Sequence, residues 1–128
     1  MTAFCELGYK VSIPYGENTR YDFIADINNK LIRVQVKTCK ERDNGNVISF
    51  PCRSTRVNSK GCYNRKYTKN EIDYFCTYYK GMCYLVPVGE CSNGKKLRFN
   101  TPKNNRNTGV NYAKNYELPT QVRKIKEE

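Results

Sequence analysis

The sequence predicts an α/β (α+β) fold with a central mixed sheet flanked by helices, on three observations. Short runs alternating apolar and polar residues recur along the chain, the two-residue period of a half-buried strand. Turn signals separate them at Asn28-Asn29, Asn44-Gly45 and Asn93-Gly94. Only one segment has clear helical spacing, so strands outnumber helices. The 128 residues contain no internal repeat and no low-complexity linker. They read as one domain over 1–118, with a modest core, and a charged C-terminal tail over 119–128.

The elements follow in chain order. Val11 and Ile13 alternate with polar neighbours until Pro14, Tyr15 and Gly16 end a short strand. A second strand covers 21–27 and a third 31–38, with Ile32, Val34 and Val36 on one face. A fourth, 47–50, follows Asn44-Gly45. The stretch 51–70 holds six basic residues and no acidic one, with Ser, Asn, Gly61 and two tyrosines between them, and reads as a loop. Thr68 and Glu71 then form a capping-box pattern. Ile72, Phe75, Cys76 and Tyr79 continue at helical spacing, which predicts a helix over 69–80 closed by Gly81. A buried strand is expected over 82–88 and another over 97–100. The Asn-, Lys- and Arg-rich stretch 101–114 reads as irregular, and 121–128 as frayed or a short helix.

Composition narrows the function. Lys plus Arg number 23 against 12 for Asp plus Glu, a formal charge of +11. Such a balance favours a polyanionic partner, because phosphate contacts release condensed counterions. No apolar run approaches the ~18 residues of a membrane span. The N-terminus lacks a basic-then-apolar leader, so a cytoplasmic protein is expected, with no membrane partner. Seven cysteines, at 5, 39, 52, 62, 76, 83 and 91, include no Cys-x-x-Cys pair, and there is no histidine. This argues against zinc and against a secreted disulfide scaffold, and excludes every His-dependent mechanism. Most of the cysteines read as small buried residues.

The segment 21–37 carries the chemistry. Pairing 21–27 with 30–38 through a symmetric turn at Asn28-Asn29 sets Asp22 opposite Gln35 and Phe23 opposite Val34. Tyr21, Phe23, Ala25, Ile32, Val34 and Val36 then form an apolar layer. Asp22, Gln35 and Lys37 share the other face. That trio suits metal-assisted phosphodiester hydrolysis. Asp22, the Gln35 side-chain oxygen and the Val36 backbone carbonyl are hard oxygen ligands for Mg²⁺, with Mn²⁺ as its substitute. Lys37 orients or helps deprotonate the attacking water, or stabilises charge developing on phosphate. The same trio is also what an ordinary solvated sheet face carries.

Tyr21-Asp22-Phe23 followed by Arg33-Val34-Gln35-Val36-Lys37-Thr38 resembles the PD-(D/E)XK nuclease superfamily. More narrowly, it looks like the group I intron-encoded homing endonuclease branch with Gln in place of the second acidic residue. The run from Val11 to Asn18, Asn70-Glu71-Ile72-Asp73-Tyr74-Phe75 and Tyr84-Leu85-Val86-Pro87 look similar too, so the resemblance spans roughly 7–118. It implies a restriction-endonuclease-like core with a four-stranded mixed sheet, and Mg²⁺-dependent cleavage of double-stranded DNA. It assigns Asp22 and Gln35 to the metal and Lys37 to catalysis. The family's N-terminal-helix Glu would fall upstream of Met1, so that helix is expected to be shortened. Glu6 lies too close to the first strand to replace it, and Glu17 reads as a solvated loop carboxylate.

DNA contacts are expected from two basic stretches. Arg53, Arg56, Lys60, Arg65 and Lys66 supply one, and Lys95, Lys96, Arg98, Lys103 and Arg106 the other. They would position phosphates without reading sequence. Asn58, Asn64, Asn104, Asn105 and Asn107 are candidate base readers, and Tyr63 and Tyr67 interleave with the first stretch. Tyr78, Tyr79 and Tyr84 are expected in the core or at a subunit contact. Cutting both strands needs two active sites, so a homodimer or higher homo-oligomer is expected. The alternatives are a non-catalytic DNA-binding protein on a nuclease scaffold, a restriction or junction-resolving nuclease, and an RNA-binding module.

Overall fold

The computed structural model describes residues 1–16, 19–100 and 110–128, with the side chains at 55–58 and 63–64 outside the described set. Among the described residues two α-helices, α1 (Thr2–Glu6) and α2 (Leu118–Glu127), accompany ten strands. The strands are β1 (Lys10–Ser12), β2 (Phe23–Ile27), β3 (Lys30–Val36), β4 (Lys40–Arg42) and β5 (Val47–Pro51), then β6 (Arg53–Asn58), β7 (Gly61–Lys66), β8 (Tyr74–Tyr79), β9 (Met82–Pro87) and β10 (Gly94–Arg98).

The central sheet has the order β1-β2-β3-β8-β9. It is mixed, as expected: β3 pairs with β8 in parallel and its other pairings are antiparallel. It carries five strands rather than four because the short β1 adds an edge on β2. The β2–β3 register sets Phe23 opposite Val34 and Ile27 opposite Lys30. Asn28 and Asn29 both take left-handed backbone angles, φ 52° and 70°, as a two-residue hairpin whose twist matches its strands requires. The Asp26 carboxylate accepts a hydrogen bond from the Asn29 N–H at 2.9 Å and fixes that turn.

Each face of the sheet buries its own apolar cluster. One holds Phe4 of α1, Phe23, Ala25, Ile27, Ile32 and Val34 of the hairpin, and Leu118, Val122 and Ile125 of α2. Phe4 and Phe23 meet edge to face at 5.3 Å. The segment expected to be a charged tail is therefore a core helix: its buried residues fall at i, i+4 and i+7, and Arg123 and Lys124 face outward. The opposite cluster joins Phe75, Tyr84 and Val86 to Ile48, Phe50 and Leu97, which come from a three-stranded sheet of order β10-β5-β4.

The expected helix over 69–80 does not form. Half of the capping box does: the Glu71 carboxylate accepts from the Thr68 N–H at 3.2 Å, but the Thr68 hydroxyl donates to the same carboxylate, and the Glu71 N–H bonds the Thr68 backbone carbonyl at 3.0 Å. After that turn the chain extends into β8. A central strand is apolar on both faces, so its spacing imitates a helix. Phe75 faces one cluster and Cys76 the other. Lys80-Gly81 is then a hairpin turn, φ 45° and 83°, rather than a helix stop.

The expected loop over 51–70 contains the β6–β7 hairpin, a separate two-stranded sheet. The strand expected over 97–100 begins earlier, at Gly94. In the stretch 101–114, residues 101–109 lie outside the described set, and a 3₁₀ turn begins at Ala113. Of the cysteines, Cys52, Cys76 and Cys83 are buried, Cys39 and Cys91 half-buried, and Cys5 and Cys62 exposed. Tyr84 is a core residue, Tyr79 packs at the edge of the second cluster, and Tyr78 is 64% exposed. No helix among the described residues is long and apolar enough to cross a membrane.

Candidate active site

Asp22 immediately precedes β2, where its N–H bonds the carbonyl of Val34, already the partner of Phe23, at 2.8 Å, so the regular ladder stops at Phe23. Its Oδ2 accepts the Val36 N–H at 2.7 Å. A carboxylate held by a backbone donor on the neighbouring strand has few rotamers left. Its other oxygen, Oδ1, accepts no hydrogen bond among the described residues.

Gln35 Nε2 donates to the Val36 carbonyl at 3.3 Å. Asp22, Gln35 and Val36 thus meet at the end of β2 and β3, although Asp22 bonds Val34 and Val36 rather than pairing with Gln35 in the ladder. Lys37 follows, its backbone N–H bonded to the Cys76 carbonyl of β8 at 2.8 Å. Its ammonium donates to the Arg53 carbonyl at 3.3 Å and sits 4.9 Å from the centroid of the Tyr67 ring. The amine is therefore aimed from two sides.

Asp22 is the only acid among the described residues of this group. Among the described residues no three His, Cys, Asp or Glu side chains gather into a metal-binding cluster. Glu6 of α1 lines a shallow cavity of about 420 Å³ shared with Val36, Cys76 and Cys83. Glu17 lies outside the described residues. What remains is one carboxylate oxygen, one amide oxygen and one peptide carbonyl. That all-oxygen set fits a small hard cation that keeps several waters and takes further ligands from substrate phosphate.

Sequence reasoning missed Arg20. Its guanidinium bonds the Lys66 carbonyl at 2.6 Å, the Arg65 carbonyl at 3.2 Å, Ser54 Oγ at 2.7 Å and Glu71 Oε1 at 2.9 Å. It stacks 3.7 Å over the Tyr67 ring, which in turn packs edge-on against Phe75. Burial raises the Glu71 pKa, but the Arg20 hydrogen bond and charge, with Thr68 and Arg65, outweigh it and hold the carboxyl below its ordinary value. The only hint in the sequence was adjacency to Tyr21-Asp22.

A second staple joins β3 to the chain entering β8. Arg33 pairs with both Asp73 oxygens at 3.1 Å and bonds the carbonyls of Asn70 and Lys69. The Asp73 hydrogen bond raises the Arg33 pKa.

The expected phosphate contacts divide. Lys60, Lys66 and Lys96 are exposed and Arg53 is half-buried. Arg65 is largely exposed but pairs with Glu71 at 2.8 Å. Arg98 pairs with Asp43 at 3.6 Å. Lys95 is the correction: it is 8% exposed, with its amine on the Glu90 carbonyl at 3.2 Å and near the Tyr116 ring, so it is not offered to a phosphate. Alternation along β10 turns it inward opposite Phe50. The Arg56, Asn58, Tyr63 and Asn64 side chains, and Lys103, Asn104, Asn105, Arg106 and Asn107, lie outside the described set.

A family model described as PD-(D/E)XK endonuclease matches residues 1–119. Among solved structures, the fold is similar to that of a bacterial homing endonuclease, I-Ssp6803I, at a TM-score of 0.73 and 20% identity, over 99% of this chain and 89% of that one. A comparison with curated proteins gives no significant match.

Proposed function

The chain belongs to the PD-(D/E)XK endonuclease family, and from that premise we propose that it hydrolyses double-stranded DNA at specific sites with Mg²⁺, as a homing-type enzyme of the branch with Gln at the second acidic position. The observation that carries this reading is the Asp22 carboxylate, clamped by the Val36 N–H beside Gln35 and Lys37.

Asp22 Oδ1, the Gln35 side-chain oxygen and the Val36 carbonyl would hold the ion. Mn²⁺ would substitute for Mg²⁺ on the same oxygen ligands. When bound, the ion polarises the phosphate and acidifies a water. Gln35 presents its oxygen after a half-turn of the amide, which releases its hydrogen bond to Val36. Asp22 keeps its position through that change, because its clamp is a backbone donor. Lys37 presents an ammonium to the scissile phosphate and offsets the negative charge that builds there. The Arg53 carbonyl and the Tyr67 ring hold that ammonium in place without neutralising it. Cleavage of both strands requires two such sites, which a homodimer or larger assembly supplies.

The test is nicking of supercoiled plasmids carrying a substrate library, in Mg²⁺, by the wild type, Asp22→Ala and Lys37→Ala. Cleavage lost in both variants with binding retained supports the assignment. A second reading, a DNA-binding protein without catalysis, is favoured by the single acid among the site's described residues. Tight binding with no cleavage by the wild type in Mg²⁺ or Mn²⁺ would establish it instead.

A further inference from the structure

The three-stranded sheet has a face the active site does not use. Alternation along β4, β5 and β10 sends Ile48, Phe50 and Leu97 into the core. The opposite face carries two rows across the strands. Ser49 lies between Lys40 and Lys96, and Val47 between Arg42 and Arg98. Strand spacing and rise place the four cationic residues at the corners of a rectangle of roughly 7 by 10 Å.

Little on this face offsets that charge. Lys40 and Lys96 are exposed and have no carboxylate partner among the described residues. Arg42 Nε bonds Ser49 Oγ at 3.4 Å, a neutral partner. Among the described residues the acid paired here is Asp43, 3.6 Å from Arg98, and Glu90, whose carboxylate accepts the Tyr116 hydroxyl at 2.7 Å, lines the larger of the two hollows over this face. Glu41 is turned to the other side, where its carboxylate accepts the Tyr79 hydroxyl. Two open hollows, of about 500 and 760 Å³, run over the rows, and Arg42, Ser49 and Lys96 line both. The larger also includes Thr38, the residue after Lys37 in the chain.

We propose that this face is a second DNA contact, which grips the phosphate backbone of the duplex beside the cleavage site through Lys40, Arg42, Lys96 and Arg98. The inference rests on the nuclease reading. Four cations that spread rather than converge are too far apart for one phosphate. They match a rod that carries a charge every ~1.7 Å of its axis.

The experiment measures affinity for duplex DNA from 50 to 200 mM salt, without divalent metal. The proteins are the wild type, K40Q/K96Q, K40R/K96R and R123Q/K124Q, the last removing two exposed charges from α2. Each phosphate contact adds about 0.9 to the salt slope. K40Q/K96Q is expected to lower the slope by nearly two, so the wild type loses about tenfold more affinity over this range. K40R/K96R should restore the slope and R123Q/K124Q leave it at the wild-type value. Equal slopes in K40Q/K96Q and R123Q/K124Q, with a wild type that binds and cuts DNA, overturn this proposal alone. A wild type that does not bind duplex DNA, or prefers RNA, overturns the nuclease reading and the proposal with it.

Discussion

Arg20 and Glu71, 51 residues apart in the chain, meet at 2.9 Å with side chains only 14% and 19% exposed. The pair ties the chain that leads into the candidate active site to the turn that follows the β6–β7 hairpin. Arg20 also holds the carbonyls of Arg65 and Lys66, so it is the hook by which that two-stranded sheet hangs on the core.

Arg20→Ala should therefore loosen the hairpin before the rest. It removes charge-assisted bonds and leaves Glu71 partly buried beside Arg65. A loss of about 2–3 kcal/mol is expected in urea denaturation. Hydrogen exchange should quicken at 53–66 while the amides of β2, β3 and β8 stay protected.

Glu71 gives the same contact an acid limit. Its folded-state pKa lies below its unfolded value, so its stabilisation is full above about pH 4.3 and is lost as pH falls through the depressed value. Hairpin protection should stay level from neutrality to that point and drop below it. In Arg20→Ala the drop should shrink, because the bond that holds the carboxyl low is gone.

On the proposed metal-assisted reading, Gln35→Glu would give the site a second acid beside Asp22. Added negative charge should lower the Mg²⁺ concentration for half-maximal cleavage by roughly tenfold, the size of a 1.4 kcal/mol gain in binding. A metal titration of single-turnover nicking measures it. No change in metal dependence would remove Gln35 from the ligand set.

Thr77 is fully buried in β8, and its hydroxyl has no hydrogen-bond partner among the described residues. Thr77→Val keeps the shape and removes the stranded polar group, so stability should rise by about 1 kcal/mol. Thermal denaturation should show a higher Tm, with the β8–β9 pairing unchanged.

The places where local pattern misled are instructive. Half of the Thr68–Glu71 box forms, yet a strand follows it. Asp73 is held by the Arg33 side chain and by both backbone partners on β3, so the chain must extend there. Neither Arg33 nor Asp73 announces that contact across 40 residues. The basic hairpin was illegible for a different reason: a strand pair with little apolar alternation has no period to read.

The residues alone determined the β2–β3 hairpin and its register from Phe23–Val34 to Ile27–Lys30, which brings Asp22 to the end of β3, where it bonds Val34 and Val36 instead of pairing with Gln35. Those features depend on a two-residue period and a turn of two asparagines, which are local. Tertiary structure decided that Lys95 turns inward while Lys96 faces out, that 118–127 is a core helix, and that Arg20 hooks the basic hairpin. Each of these depends on which layer covers a given face, and that is set by the packing of segments far apart in the chain.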